Sequence, residues 1–266
     1  MKVKSLLKEF IPPFFLKKVT NLFYGWAGNY SSWKEASDKS YGYDTDIIFN
    51  KVKDALLKVK NGEAAYERDS VIFDKIQYSF PLLSALFHVT LKNKNKLNVL
   101  DFGGSLGSSY YQNKNFFKDI ELNWCIVEQP HFVKEGQKTF ANDQLHFFYE
   151  VESCMENYKI DVLLLSSVLQ YIEKPYEFMD YLISKNIEYI VIDRAPLLIK
   201  GNDRITIQTV PKNIYDAKYP CWILNEKNVL NQLFKHYDLI FDNQSSEAIN
   251  INNAAFKSFF LKRKRN

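Results

Sequence analysis

Cysteine and histidine are both scarce. The three cysteines, Cys125, Cys154 and Cys221, lie far apart with no C-x-x-C pair. An odd, scattered set argues against a disulfide framework and against a zinc site; no metal is expected, and a reducing cytoplasm fits. Of the four histidines, His88, His146 and His236 fall inside expected helices or strands and read as structural. No apolar run is long enough to span a bilayer. The N-terminus, MKVKSLLKEFIPPFFLKKV, opens like a signal peptide, but Lys8, Glu9 and the pair Pro12-Pro13 break its apolar region and no small-residue cleavage site follows.

An excess of positive charge is missing from the body of the chain. The formal total is +4, yet residues 1–18 carry +4 and KRKR at 262–265 carries +4, which leaves −4 for the rest. Two basic ends on a mildly acidic body are not a nucleic-acid footprint, which would place the charge on a folded face. They fit either weak attachment to the inner face of an anionic membrane, helped by Ile11, Phe14 and Phe15, or a docked helix and a solvated tail.

What is present is a change of period at residue 96. Before it the pattern is helical. In DTDIIFNKVKDALLKVKNG (44–62), Ile47, Ile48, Val52, Ala55, Leu56 and Val59 recur at three- and four-residue steps, with Asp44 or Thr45 as cap and Gly62 as stop. A second helical stretch is expected from Tyr66 towards Leu91, interrupted at Pro81. Residues 1–95 thus read as an N-terminal helical extension or cap, and 96–266 as the main domain. From Leu97, short apolar runs alternate with helix-like stretches: 97–102, 123–128, 145–150, 160–165 and 188–193. Such alternation predicts an α/β fold, a doubly wound, mostly parallel sheet with strands buried on both faces. Two more strands, 237–241 and 254–261, follow with too short a gap for a helical crossover, so the last is expected to be antiparallel.

The first strand ends in LNVLDFGGSLG (97–107). Ligands of such sheets bind beyond the carboxyl ends of the strands, where a glycine turn admits close approach to backbone and a helix N-terminus. The dinucleotide fingerprint needs glycine at 103, 105 and 108, and Ser105 and Ser108 break it. An acidic residue followed by small residues at alternate positions does match: Asp101, Gly103, Ser105 and Gly107, with Gly104 between. The next strand ends at Glu128, 21 residues after Gly107, where a carboxylate accepts paired ribose hydroxyls; His131 follows on the same side. After the fourth strand, LLLSSVLQYIEKP (163–175) offers Ser166, Ser167, Gln170 and Tyr171, either as a ligand floor or as a helix start.

The glycine turn is similar to the S-adenosylmethionine site of class I methyltransferases. The likeness extends further. GNYSSWKEA (28–36), ERDSVIFD (67–74), YSFPLL (78–83), VLDFGGSLGSSYYQ (99–112), LLSSVLQYI (164–172), IDRAP (192–196) and IYDAKYPCWIL (214–224) resemble a family of methyltransferases from bacterial surface-polysaccharide gene clusters. The resemblance implies a Rossmann-like class I methyltransferase fold with a seven-stranded sheet, S-adenosyl-L-methionine as cofactor and S-adenosyl-L-homocysteine as product. It implies cofactor contacts from Asp101, Gly103, Gly104, Ser105, Gly107, Glu128, Ser166 and Gln170.

The acceptor side is read from position. Residues 194–224 form a long aromatic insertion at the active edge, expected to be an acceptor-binding lid or a structural flap. Asp193, Arg194 and Tyr171 are placed to act in catalysis. Arg68, Arg204, Tyr215, Tyr219 and Trp222 are placed to bind substrate. Since no histidine falls at this edge, two acceptors stay open: a sugar hydroxyl of a polysaccharide precursor, or an anionic phosphoryl, phosphoramidate or carboxylate oxygen held by arginines. A nicotinamide-dependent sugar oxidoreductase and a non-catalytic adaptor of the same fold are the rival functions.

Overall fold

The structure, a computed structural model, describes residues 25–41, 46–212, 214 and 216–265. The expected caps Asp44 and Thr45, the site residue Tyr215 and the apolar residues of the basic N-terminus lie outside these. The chain enters through strand β1 (Gly25–Tyr30) and helices α1 (Trp33–Asp38) and α2 (Asp46–Lys60). Val52, Leu56 and Val59 of α2 turn to the core, and the helix runs out into Gly62, whose φ of +79° suits a stop.

The stretch from Tyr66 does not continue as helix. It forms a hairpin, β2 (Tyr66–Arg68) and β3 (Val71–Phe73), with Tyr66 opposite Phe73 and Arg68 opposite Val71. Asp69 and Ser70 turn the corner with φ of 51° and 68°. Two consecutive left-handed residues make the tight hairpin turn whose twist suits the strands, and Val71-Ile72-Phe73 is strand-forming. Helix α3 (Phe80–Lys92) then begins rather than breaks at Pro81, which sits in the first turn where its missing N–H costs nothing.

The period change at 96 opens the main sheet. In order come β4 (Lys96–Phe102), α4 (Ser108–Asn113), β5 (Glu121–Val127), α5 (Pro130–Glu135), β6 (Leu145–Phe148), α6 (Val151–Asn157), β7 (Val162–Ser166), α7 (Pro175–Ser184) and β8 (Tyr189–Leu198). After β9 (Arg204–Thr209) and β10 (Lys218–Asn225) follow α8 (Glu226–Leu233), β11 (Tyr237–Gln244) and β12 (Ala254–Arg263). Seven of these strands lie in the order β6-β5-β4-β7-β8-β12-β11, parallel except for β12. That is the Rossmann-like sheet of the class I methyltransferase type, with the expected antiparallel last strand. The order reverses between β4 and β7, so the ligand crevice opens at their carboxyl ends. α2, α3 and α4 pack one face around Trp124 and Phe260; α6, α7 and α8 pack the other around Leu163 and Phe259.

Two features depart from expectation. The fifth strand does not stop at Asp193 but runs on to Leu198, where Leu197 and Leu198 pair in parallel with Leu224 and Asn225 of β10. The insertion beyond it is largely sheet: β10 pairs with β9, and β9 with β1, all antiparallel. The second is KRKR at the C-terminus, which is no free tail. Lys262 pairs with Glu188, Arg263 ends β12 and donates to Ile183 O, and Lys264 Nζ donates to Phe234 O at 2.6 Å. No helix among the described residues is long and apolar enough to cross a membrane.

Candidate functional site

The turn after β4 is built on alternate left-handed residues. Gly103, Ser105 and Gly107 have φ of +70°, +56° and +110°. This explains the spacing read from sequence: every second residue needs the conformation that glycine takes freely. Ser105 takes it with a side chain, at some strain, and its Oγ is buried with no hydrogen-bond partner among the described residues. A Cβ on Gly103 would stand 2.5 Å from Val168 Cγ2, and one on Gly104 would stand 2.6 Å from the Asp101 carboxyl carbon. The turn is therefore pressed between the loop after β7 and its own acidic residue. Gly103 N–H donates to Val127 O at 2.9 Å, tying the turn to β5.

Asp101 is 1% exposed. Its Oδ2 accepts from Trp124 Nε1 at 2.9 Å, and its Oδ1 has no partner. Burial raises its pKa to about 7; Trp124 opposes this, and the nearby Glu128 and Asp193 add to it. A buried carboxylate oxygen left unpaired at a cavity wall is a place for a donor. Glu128 stands at the end of β5. Burial raises its pKa, and the N–H groups of Gln129 and Ser105 work the other way. Thus the turn and the acidic strand end are joined through Ser105.

The crevice is a cavity of about 1040 Å³. Asp101, Gly103, Gly104, Ser105, Glu128 and Ser166 line its floor, as expected of them. Arg68, Tyr171, Asp193, Arg194 and Tyr219 line the remainder. Four expected residues among those described are not in the wall. Gln170 is buried behind it, its amide donating to Ser167 O at 2.9 Å. Arg204 lies on the outer flap, with Nε 2.7 Å from Gly28 O. Trp222 stacks on Trp33 and donates to Glu173 O. Arg204 and Trp222 are thus engaged by β1, α1 and the loop before α7 rather than by the crevice. Gly107 is also outside the wall; it caps α4 in its left-handed conformation. His131 packs against Phe49 and Phe132, and no histidine lines the cavity among the described residues.

In the middle of β8 a β-bulge shapes the opposite wall. Lys257 faces Ala195 and Phe259 faces Ile192, so Ser258 alone opposes both Asp193 and Arg194. Arg194 takes φ of +51°. The extra residue breaks the alternation of side chains and brings two consecutive ones to the cavity. Asp193 is 2% exposed. Its Oδ1 accepts from Ser79 Oγ and Ser258 Oγ, both at 2.9 Å, and its Oδ2 from Ser166 Oγ at 3.3 Å. Ser79 occupies the N-cap position of α3 but makes no cap bond; its hydroxyl is given to Asp193 instead.

Arginine here is matched by acid. Arg194 Nε lies 3.9 Å from Asp193 Oδ2, and Nη2 donates to Ser167 Oγ at 3.3 Å. Burial works against its charge, but Asp69, Asp193 and Glu247 outweigh this and raise its pKa. Arg68 does not pair with its neighbour Asp69 on a helix, because the hairpin turn separates them; its Nη1 binds Glu247 Oε1 at 3.0 Å. Glu67, 1% exposed, accepts from Ser108 Oγ and from Ser70 N–H, and burial raises its pKa to about 7. Ser79, Ser258, Tyr66 and Glu247 were not read from the sequence as site residues. The one usable signal was Ser79, a cap-type residue two positions before a proline.

No family model and no curated protein matches the chain. Similar solved structures include a 1,6-didemethyltoxoflavin-N1-methyltransferase of Burkholderia thailandensis, 10% identical, covering 85% of this chain and 99% of that one at a TM-score of 0.43. A methyltransferase of Clostridium acetobutylicum is 9% identical, covering 82% and 99% at 0.48. One from Methanosarcina mazei is 9% identical, covering 71% and 99% at 0.49. At these values they add nothing to the strand order, which assigns the fold, or to the residues of the crevice, which define the site.

Proposed function

We propose that the protein is an S-adenosylmethionine-dependent methyltransferase that O-methylates a hydroxyl of a surface-polysaccharide precursor in the cytoplasm. The observation that carries the cofactor is the orphaned Asp101 Oδ1 above a turn of three alternate left-handed residues, with Glu128 at the next strand end. The cofactor brings a cationic amino group and sulfonium together with paired ribose hydroxyls. A donor to Asp101 answers the first, and Glu128 accepts the last. The whole cavity favours a cation: Asp69, Asp101, Glu128, Asp193 and Glu247 face it against Arg68 and Arg194.

When bound, S-adenosylmethionine supplies an electrophilic methyl group. The chain then has to hold the acceptor oxygen in line, exclude water and take up its proton. Asp193 is the group for the proton. Ser79 and Ser258 fix one of its oxygens, which leaves the less tightly held Oδ2 turned to Ser166 and the acceptor. Tyr171, whose hydroxyl donates to Gln208 at 2.9 Å, and Tyr219 give the acceptor an aromatic wall rooted in the flap. The anionic-acceptor reading is the weaker one, because each arginine of the cavity already faces carboxylates and Arg204 is turned away.

Calorimetry with S-adenosylmethionine and with NAD tests the cofactor. Binding of the first alone supports methyl transfer; binding of NAD supports the oxidoreductase; binding of neither supports an adaptor. Transfer of labelled methyl to nucleoside-diphosphate sugars and to extracted glycan precursors then tests the acceptor.

A further inference from the structure

Helix α3 is apolar on both faces. Leu82, Leu83, Ala85, Leu86 and Val89 are buried against the sheet. The other face is a stripe at four-, three- and four-residue steps: Phe80, Ser84, Phe87 and Leu91, all exposed. Phe80 is 69% exposed and Leu91 76%. A surface helix ordinarily turns polar residues to water. The stripe is continued by Phe116, 43% exposed, whose ring lies 6.1 Å from Phe87 and 5.0 Å from Tyr78. Contiguous exposed aromatics of this kind mark an interaction surface.

Its rim is basic. Lys92 and Lys94 follow Leu91, and Lys114 and Lys118 flank Phe116. Among the described residues none of the four is in an ion pair. Asp119 is the acid beside them.

We infer that this face docks on an anionic lipid bilayer. Aromatic and aliphatic side chains enter the headgroup boundary while lysines meet the phosphates around them. A second copy of the chain is a poorer occupant, since an isologous pairing would bring the lysine rims together. Tyr78 and Phe80 also line the crevice, so docking sets the cavity mouth at the membrane surface. Resting on the methyl-transfer reading, the acceptor is then a glycan precursor carried by a lipid.

The test is co-sedimentation of the full chain with vesicles of phosphatidylcholine alone or mixed with phosphatidylglycerol. Binding is expected to the mixed vesicles and to weaken in high salt. A Phe87→Ser, Leu91→Ser, Phe116→Ser variant should bind about tenfold more weakly or worse. Phe87 and Phe116 are partly packed, so circular dichroism first establishes that the variant is folded, and Leu91→Ser alone, at a side chain 76% exposed, carries the test if it is not; affinity for S-adenosylmethionine should be that of wild type. The inference is overturned if wild type ignores the mixed vesicles. It is equally overturned if the variant binds them as well as wild type, or if sedimentation equilibrium shows a dimer that the variant loses. Calorimetry on the same samples separates the two readings. Vesicle binding without cofactor binding keeps the docking surface and sinks methyl transfer; cofactor binding without vesicle binding does the reverse.

Discussion

The two walls of the crevice are made differently. The proposed cofactor wall comes, apart from Ser166 of β7, from one contiguous stretch, Asp101 to Glu128, the ends of two strands and the turn after the first. The acceptor wall is drawn from places scattered along the chain: the hairpin at Arg68, the α3 N-cap at Ser79, the bulge at Asp193, Tyr219 of the flap, Glu247 and Ser258. In the first, backbone conformation does the work and side chains are few. In the second, side chains hold one another across the fold, and no single segment carries the site. Damage to the cofactor wall should therefore show in binding, and damage to the acceptor wall in turnover.

The largest effect is expected at Asp193. Asp193→Asn keeps the shape of the side chain and removes the proton acceptor. Methyl transfer to the acceptor should fall by about 10²–10⁴-fold, the usual worth of a positioned acid–base group. S-adenosylmethionine affinity by calorimetry should stay within about twofold of wild type, since the cofactor floor lies over β4 and β5. Equal losses in both would erase the division between the walls.

Gly103→Val attacks the other wall. The residue would have to hold φ of +70° and place its Cβ 2.5 Å from Val168. Left-handed strain and overpacking together cost about 2–5 kcal/mol. Thermal melting should fall, and cofactor binding should be lost while the circular dichroism of the sheet remains. The reason differs from simple blockade of a ligand: the clash is with the loop after β7, so the turn itself must move.

Glu128→Ala sharpens the assignment within that wall. It removes the ribose acceptor and should weaken S-adenosylmethionine by about 1.5–3 kcal/mol, the range for a hydrogen bond to a charged group. Turnover at saturating cofactor should change far less. A folded variant with unaltered affinity would take Glu128 out of the site.

The same contrast explains what the sequence disclosed. The seven strands, the antiparallel β12 and the turn at 103–107 were legible because each is a local pattern: apolar runs, a short gap, small residues at alternate positions. The 66–73 hairpin was misread because Tyr66 and Phe73, seven residues apart, also fit a helical period, and only the left-handed pair Asp69-Ser70 decides the matter. Strand β1 was missed because GWAGNY pairs only with β9, which is distant in sequence and carries the pattern for both. Arg204 was put at the acceptor because it follows β8 closely. The continuation of β8 to Leu198 and the pairing of β9 with β1 turned it outward. Ser258 was invisible, since its role depends on a bulge that forms only when β12 docks on β8.

A pH titration sets buried acids of the two regions against the cofactor. Asp101 and Glu67 both have pKa values raised to about 7 by burial. A carboxyl whose pKa is higher folded than unfolded stabilises the fold below its unfolded value of roughly 4, and that contribution is lost as pH rises through about 7. Melting temperature of the ligand-free protein should therefore decline between about pH 4 and 7 and level off above that. Stabilisation by S-adenosylmethionine should grow across the same window, because ionised Asp101 is the better partner for a cationic donor. Asp101→Asn should flatten both trends in part, with Glu67 keeping the rest. A melting temperature that rises through this window would contradict the burial of these acids.

The smallest effect should come from Arg204, and its smallness is informative. Arg194 and Arg204 are both arginines of the β8–β9 region, and by sequence they are equal candidates for an acceptor contact. Arg194 faces Asp193 at the cavity, whereas Arg204 spends its Nε on Gly28 O and joins β9 to β1. Arg204→Ala should then cost only about 0.5–1.5 kcal/mol of stability, the worth of one hydrogen bond, and should change neither cofactor affinity nor methyl transfer. Arg194→Ala should reduce transfer, because it leaves Asp193 without its counter-charge, while Glu247 keeps Arg68, and because it frees a strained position of the bulge. Chemical denaturation together with label transfer for the two variants decides it. A turnover defect in Arg204→Ala comparable to that of Arg194→Ala would mean that the flap swings inward during the reaction, and the acceptor wall would then have to include the outer face of β9.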